Sequence, residues 1–269
     1  MLPLLTCPLD QQPLTQDGKQ LRCPEGHSFD IAKQGYVNLL PVQHKKSKNP
    51  GDDKAMVLAR HQFLNQGHYQ VIVDTLLSAL RPLLSEHSLI IDAGCGEGYY
   101  LNALAQQLNF EAIGYDISKQ AVLEAAKHNK DITWLVCSNK QPPIQAQQCD
   151  ILLSMFGFPD FSTFQKLLKP TGFLVMVEPG ENHLIEIREM IYPSITQKEK
   201  KNRYSDCFKD VETRSAQTQL TLSQQALQPL LLMTPHLHRA TTEGKAALAA
   251  TPSLTVTVDV TCQVLQPIS

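Results

Sequence analysis

The stretch Ile90-Ile91-Asp92-Ala93-Gly94-Cys95-Gly96-Glu97-Gly98-Tyr99-Tyr100 decides how this chain is read. A short apolar strand runs into three alternate glycines and leaves them as a helix. Glycine permits positive φ and lets a ligand approach the backbone closely. The helix that follows offers free N–H groups and the positive end of its dipole. A dinucleotide fingerprint would place its third glycine three residues after the second. Here the spacing is Gly94-x-Gly96-x-Gly98, and Tyr99 stands where that glycine belongs. Asp116, 24 residues after Asp92, ends the next apolar strand, where a carboxylate can accept both hydroxyls of a ribose. Two acidic strand ends around a small-residue loop suit a ligand that joins a nucleoside to a cationic centre. S-adenosylmethionine is such a ligand, a nicotinamide dinucleotide is the rival, and a tight turn in a doubly wound sheet is the reading without chemistry.

Outward from this loop, strands and helices alternate. Strands are predicted over Ser88–Asp92, Ala112–Tyr115, Ile132–Cys137, Asp150–Leu153 and Phe173–Val177, and helices over Tyr99–Leu108, Lys119–Lys127, Phe161–Leu168 and Glu181–Ile191. That pattern implies an α/β fold whose parallel sheet is covered on both faces. Upstream, Asp52 or Asp53 caps a helix through Met56, Ala59 and Phe63 that Gly67 ends, and a second helix carries Tyr69, Ile72, Leu76, Leu80 and Leu83. Downstream come a polar, basic excursion at 193–210, a strand near Gln217–Leu222, a helix over Gln224–Leu232 and a β-rich run Ser253–Leu265.

The first 40 residues are turn-rich and too poor in large apolar side chains to hold a core alone, so they need a staple or a neighbour. Cys7-Pro8-Leu9-Asp10 and Cys23-Pro24-Glu25-Gly26-His27 form two knuckles twelve residues apart. Cys7, Cys23 and His27 fill three positions of a zinc ribbon, and Asp10 is a possible oxygen ligand in the fourth. The alternative is a decayed site whose turns pack without metal.

Composition bounds the rest. The 269 residues are 42% hydrophobic and 19% charged, which excludes a wholly disordered chain. No apolar run approaches the roughly 20 residues of a membrane span. The N-terminus lacks the basic and apolar regions of a signal peptide. Seven scattered cysteines fit reduced thiols, so a cytoplasmic protein is expected. The net charge of −2 divides into +2 for residues 1–70, −6 for 71–187 and +2 for 188–269. A polyanion would therefore be gripped by the flanks, at Lys45–Lys48 and Lys198–Arg203.

With both motifs in view, the sequence resembles the bacterial 23S ribosomal RNA guanine-N1 methyltransferases. Asp92-x-Gly94-x-Gly96-x-Gly98 resembles motif I of class I methyltransferases, and Lys169-Pro170-Thr171-Gly172 their Lys-Pro-Gly-Gly turn. Further matching stretches are Gly35–Pro41, Gln43-His44-Lys45, Pro50-Gly51-Asp52, Gly67-His68-Tyr69, Pro179-Gly180 with His183-Leu184, and Met233-Thr234-Pro235. The resemblance implies a class I (Rossmann-like) domain with a mostly parallel seven-stranded sheet. It also implies an N-terminal zinc-ribbon-like module, a 23S rRNA hairpin as substrate and a homodimer. Family cofactor contacts carry over to Tyr69, Gly96, Glu97 and His183. Together with the residues read above, the cofactor set is Tyr69, Asp92, Gly94, Gly96, Glu97, Gly98, Asp116 and His183, and the metal set Cys7, Asp10, Cys23 and His27. The expected layout is a module at 1–42, a linker with helices at 43–86 and the catalytic domain at 87–269.

Three departures stand out: Asp10 at a cysteine position, Met155-Phe156-Gly157-Phe158-Pro159 where the family often has Tyr-Ala-Pro, and Glu178-Pro179-Gly180-Glu181 in place of Thr-Pro-Gly-Pro. The implied reaction is in-line transfer of a methyl group from S-adenosylmethionine to guanine N1. Guanine N1 carries a proton, so an acceptor is needed. Glu178, Glu181 and His183 are candidates, and none is assigned. The alternatives are a methyltransferase acting on a small molecule, and a non-catalytic RNA-binding relative.

Overall fold

The computed structural model describes residues 4–44, 47, 49–195, 203–234, 236 and 240–268. Three short strands, β1 (Thr15–Asp17), β2 (Gln20–Arg22) and β3 (Ser28–Asp30), form a small antiparallel sheet. The chain then passes through β4 (Val37–Asn38), α1 (Lys54–Asn65) and α2 (Gln70–Leu80). The alternating region holds β5 (Leu89–Ala93), α3 (Tyr99–Ala105), β6 (Glu111–Asp116), α4 (Lys119–His128), β7 (Thr133–Val136), β8 (Cys149–Met155), α5 (Phe161–Leu167), β9 (Leu168–Pro179) and α6 (Ile185–Ile191). It closes with β10 (Phe208–Ser223), α7 (Gln224–Leu232), α8 (Thr242–Ala250) and β11 (Ser253–Pro267).

The large sheet runs β10-β11-β9-β8-β5-β6-β7-β4. Its pairs from β4 to β9 are parallel, and β11 joins β9 and β10 antiparallel. The order is that of a class I methyltransferase domain with one addition. Among the described residues this sheet has eight strands rather than the expected seven, because Val37 and Asn38 of the N-terminal segment pair with Leu135 and Val136 at the β7 edge. Four of the described helices start where short polar side chains take up free N–H groups: Asp53 accepts from Met56, Ser118 from Ala121, Asp160 from Thr163 and Thr241 from Gly244. β5 is buried at every position, as suits a strand covered on both faces.

The two faces are covered unequally. On one, α1–α4 and α6–α8 supply Phe63, Ile72, Leu76, Leu101, Val122, Ile187, Leu227 and Leu248 to a continuous core. On the other lies α5 with Phe164 and Leu167, beside Leu5, Leu14, Leu21, Val37 and Leu39 of the N-terminal module. No helix joins β7 to β8. The module lies against that connection instead: Thr6 donates to the Pro143 carbonyl at 2.9 Å and Gln145 to Leu4 at 2.9 Å. The first 40 residues thus have the neighbour their composition demands.

Several elements differ from the sequence reading. The strand expected at Gln217–Leu222 begins at Phe208, which shortens the expected excursion, and it is an edge strand of mostly polar residues. The helix expected from Glu181 begins at Ile185, and α8 is an addition to the expected elements. Among the described residues, no helix is long and apolar enough to cross a membrane. Lys45, Lys46, Lys48 and residues 198–202, expected at phosphates, lie outside the described residues.

Candidate functional site

At the end of β5 the chain turns through Gly94, Gly96 and Gly98 with φ of 81°, 57° and 81°. The N–H groups of Gly94 and Cys95 both donate to the Tyr115 carbonyl, at 2.8 and 2.9 Å, which ties the loop to β6. The glycines serve different ends. A Cβ on Gly94 would meet nothing within 4 Å, and one on Gly96 would come 3.6 Å from the Arg60 guanidinium. A Cβ on Gly98 would lie 2.6 Å from the Trp134 ring. Gly98 therefore opens α3 and makes room for Trp134, while Gly94 and Gly96 leave backbone open for a ligand.

Three acids converge on this loop. Asp92 and Glu97 are buried, and Asp92 Oδ1 and Glu97 Oε2 have no hydrogen-bond partner among the described residues. Asp116 accepts from Gly96 N–H at 3.1 Å through Oδ2 and from Ser118 N–H at 2.7 Å through Oδ1. Each of its oxygens keeps a lone pair for another donor. Burial pushes Asp92 up to about 8, helped by the charges of Asp116 and Glu97. Burial pushes Glu97 up to about 7 against the pull of Arg60, and Asp116 is also raised by burial. Arg60, on α1, pairs with Asp52, lies 3.8 Å from Glu97 and donates to the Met233 carbonyl at 3.3 Å. Sequence reading passes over this residue. Its signal is a charge on the buried stripe of α1, between Val57 and Phe63.

Buried carboxylate oxygens without partners are costly unless a cation meets them. The cluster holds more acid than base, so it fits the sulfonium and ammonium of S-adenosylmethionine and would repel a pyrophosphate. The dinucleotide alternative does not fit.

Tyr69, just ahead of α2, and His183, in the turn after β9, meet on one side of the cluster: the Tyr69 hydroxyl is 3.5 Å from His183 Nε2. His183 is buried, and its Nδ1 accepts from Asp259 N–H at 3.2 Å. Burial lowers it to about 4, so the ring is neutral at pH 7. The Phe156 ring packs 5.9 Å from His183 and 6.4 Å from Tyr100. Of the other candidate proton acceptors, Glu178 is paired with Arg203 at 3.0 Å and Glu181 is exposed.

The four candidate metal ligands also converge. His27 Nδ1 lies 3.5 Å from Cys7 Sγ, 3.4 Å from Cys23 Sγ and 2.9 Å from Asp10 Oδ2, and Cys23 Sγ is 3.2 Å from Asp10 Oδ2. All four ligand atoms lie within 4.8 Å of one another. A tetrahedral zinc ion with bonds of about 2.0–2.3 Å holds its ligands at such separations, so the set fits zinc. The Gln12 N–H and then the neighbouring ligands hold the Asp10 carboxyl down at about 2, which keeps it ionised.

Comparison with known proteins matches both parts of the chain. The family described as "RlmA, N-terminal" matches residues 5–48, and a methyltransferase domain family matches residues 90–172. A Bacillus subtilis protein, provisionally named 23S rRNA (guanine-N(1)-)-methyltransferase YxjB, is 33% identical over 96% of this chain and 95% of its own length. The 23S rRNA (guanine(748)-N(1))-methyltransferase of Streptomyces fradiae is 29% identical over 98% of this chain and 97% of its own. Among solved structures, a Haemonchus contortus phosphoethanolamine N-methyltransferase aligns over 85% of this chain and 58% of its own, with 14% identity and a TM-score of 0.50, a likeness of fold. With its methyltransferase sheet, acidic glycine loop and matching N-terminal segment, the chain belongs to the 23S rRNA (guanine-N1)-methyltransferase family.

Proposed function

We propose that this chain methylates N1 of an unpaired guanine in a hairpin of 23S rRNA, with S-adenosylmethionine as methyl donor. The observation that carries the reading is the trio of acids at the ends of β5 and β6, of which Asp92 and Glu97 are buried, each with an oxygen that lacks a hydrogen-bond partner among the described residues. When bound, S-adenosylmethionine supplies a methyl group activated by its sulfonium.

The chain's own residues bind and orient. Gly94 and Gly96 give the backbone approach, Glu97 accepts from the ammonium, and Asp116 accepts from the ribose. Asp92 contributes negative charge beneath the loop, and Gly98 sets the loop's exit by its packing. Arg60 fixes Glu97 and Asp52, while Tyr69 and His183 wall the cleft with a neutral hydrogen-bonded pair. Holding guanine N1 near the methyl group, in line with the sulfur, supplies most of the acceleration. The target must leave its base pair first, because N1 lies on the Watson–Crick edge.

In this reading Cys7, Asp10, Cys23 and His27 hold one zinc ion. Residues 1–42 form the RNA-facing module, 43–86 link it, and 87–269 form the catalytic domain. An rRNA substrate places the enzyme in the cytoplasm. A homodimer would double its phosphate-binding surface, and light scattering reads that directly. The deciding experiment transfers a labelled methyl group to unmodified 23S rRNA and maps it by primer extension, which stops at N1-methylguanine. A new stop at a single guanine is expected. No stop, with methyl transfer to a small-molecule pool instead, would overturn the rRNA assignment.

A further inference from the structure

The chain leaves β5 for β6 on one side and returns to β8 on the other. The loops after β5 and β8 therefore bound the crevice where ligands of such sheets bind. The acids line the β5 side. The β8 side is the loop Met155-Phe156-Gly157-Phe158-Pro159, whose second residue has the left-handed φ of 53°.

That turn sends two aromatic rings in different directions. Phe156 goes inward against Tyr100 and His183, whereas Phe158 is 91% exposed. Phe158 is the one aromatic ring among the large hydrophobic side chains left exposed in the described residues. Its loop is not slack. Phe156 N–H donates to the Val177 carbonyl at 2.9 Å, Asn139 Nδ2 donates to the Phe158 carbonyl at 3.0 Å, and Asp160 caps α5 through Thr163 N–H at 3.1 Å. Gly157 abuts the β5 strand end, since a Cβ there would be 3.8 Å from the Ala93 carbonyl. A fixed backbone beside the cofactor loop thus holds a ring out into water.

We propose that Phe158 is the platform on which the target guanine stacks when it enters the cleft. The inference rests on the reading of this chain as an RNA guanine methyltransferase and names the residue that receives the base. Every base has a π-face, and a base without its pairing partner regains stacking on an aromatic ring. Phe158 adds the ring that the neutral Tyr69–His183 wall and the acids do not supply on that side of the crevice.

The test compares wild-type enzyme with Phe158→Ala, Phe158→Leu and Phe158→Tyr, measuring kcat/KM for unmodified 23S rRNA and the affinity for S-adenosylmethionine. Phe158→Ala should lower kcat/KM for the RNA about 5- to 150-fold, the range base–aromatic stacking carries. Cofactor affinity should stay unchanged, Phe158→Tyr should restore activity and Phe158→Leu should not. Unchanged kcat/KM in Phe158→Ala, a matching loss of cofactor affinity, or full activity in Phe158→Leu would each overturn the assignment. Failure of the wild-type enzyme itself to methylate rRNA would refute the underlying function instead, and is seen before any variant is compared.

Discussion

Trp134 is fully buried in β7, and its ring lies where Cβ atoms on two glycines would be: 2.2 Å away at Gly114 and 2.6 Å away at Gly98. Gly114→Ala should therefore destabilise the fold by overpacking, by about 1–3 kcal/mol. Trp134→Leu in the same chain should return part of that stability, and urea unfolding of the four variants measures the coupling. Asp92 and Glu97 make a different prediction, about pH. Their folded values, about 8 and about 7, lie above the ordinary carboxylate range. Each therefore favours the folded state at low pH, and that contribution is lost as pH rises from the ordinary carboxylate range through 7 to 8. A cationic cofactor reverses the preference, because it binds the ionised acids. Affinity for S-adenosylmethionine should rise from pH 6 to about pH 8 with release of protons, and calorimetry in buffers of different ionisation enthalpy counts them. Asp92→Asn should weaken cofactor binding yet stabilise the free protein above pH 7. The sequence shows Asp92 and Asp116 at once, as acidic strand ends on either side of a glycine loop, while Glu97 comes from the family resemblance. It hides Arg60, because a charge on a helix stripe declares itself only once the stripe is known to be buried.

At the level of elements, the β5–β6 region is legible because parallel strands buried on both faces read as apolar runs. β10 is legible only over Gln217–Leu222, since the rest of an edge strand of Lys, Asp, Glu, Arg, Gln and Thr has no such run and takes its conformation from its pairing with β11. β4 is hidden too: two residues carry no period, and only β7 makes Val37 and Asn38 a strand. The knuckles before β1 and β3 are visible as a metal site by spacing, with Asp10 the open question. Purified without chelator, the protein should carry up to one zinc per chain. Asp10→Cys should tighten its hold by adding a thiolate, and acid should release the ion as Cys7, Cys23 and His27 take up protons. Competition with a colorimetric chelator ranks wild type, Asp10→Cys and Cys7→Ser; equal affinities would remove these residues from the site.

Across the whole molecule, Leu5, Leu14 and Leu21 pack in one core with Ile91, Ile113 and Leu152 of the central strands. The metal module and the catalytic sheet should accordingly unfold together. Calorimetry should give a single transition, and chelation should lower its midpoint without splitting it. RNA binding adds a salt dependence: replacing Lys45, Lys46 and Lys48 with Ala should flatten its log–log slope by about 0.7–0.9 for each phosphate no longer neutralised. The placement of β11 bears on synthesis as well. β11 comes late in the chain yet lies between β9 and β10, and its Asp259 N–H holds His183 while its carbonyl accepts from Gly180. On the ribosome, β9 must wait as an open edge until that strand emerges, and the wall of the cleft stays unbuilt throughout. The cleft of an rRNA methyltransferase is thereby completed only by a strand made after β10.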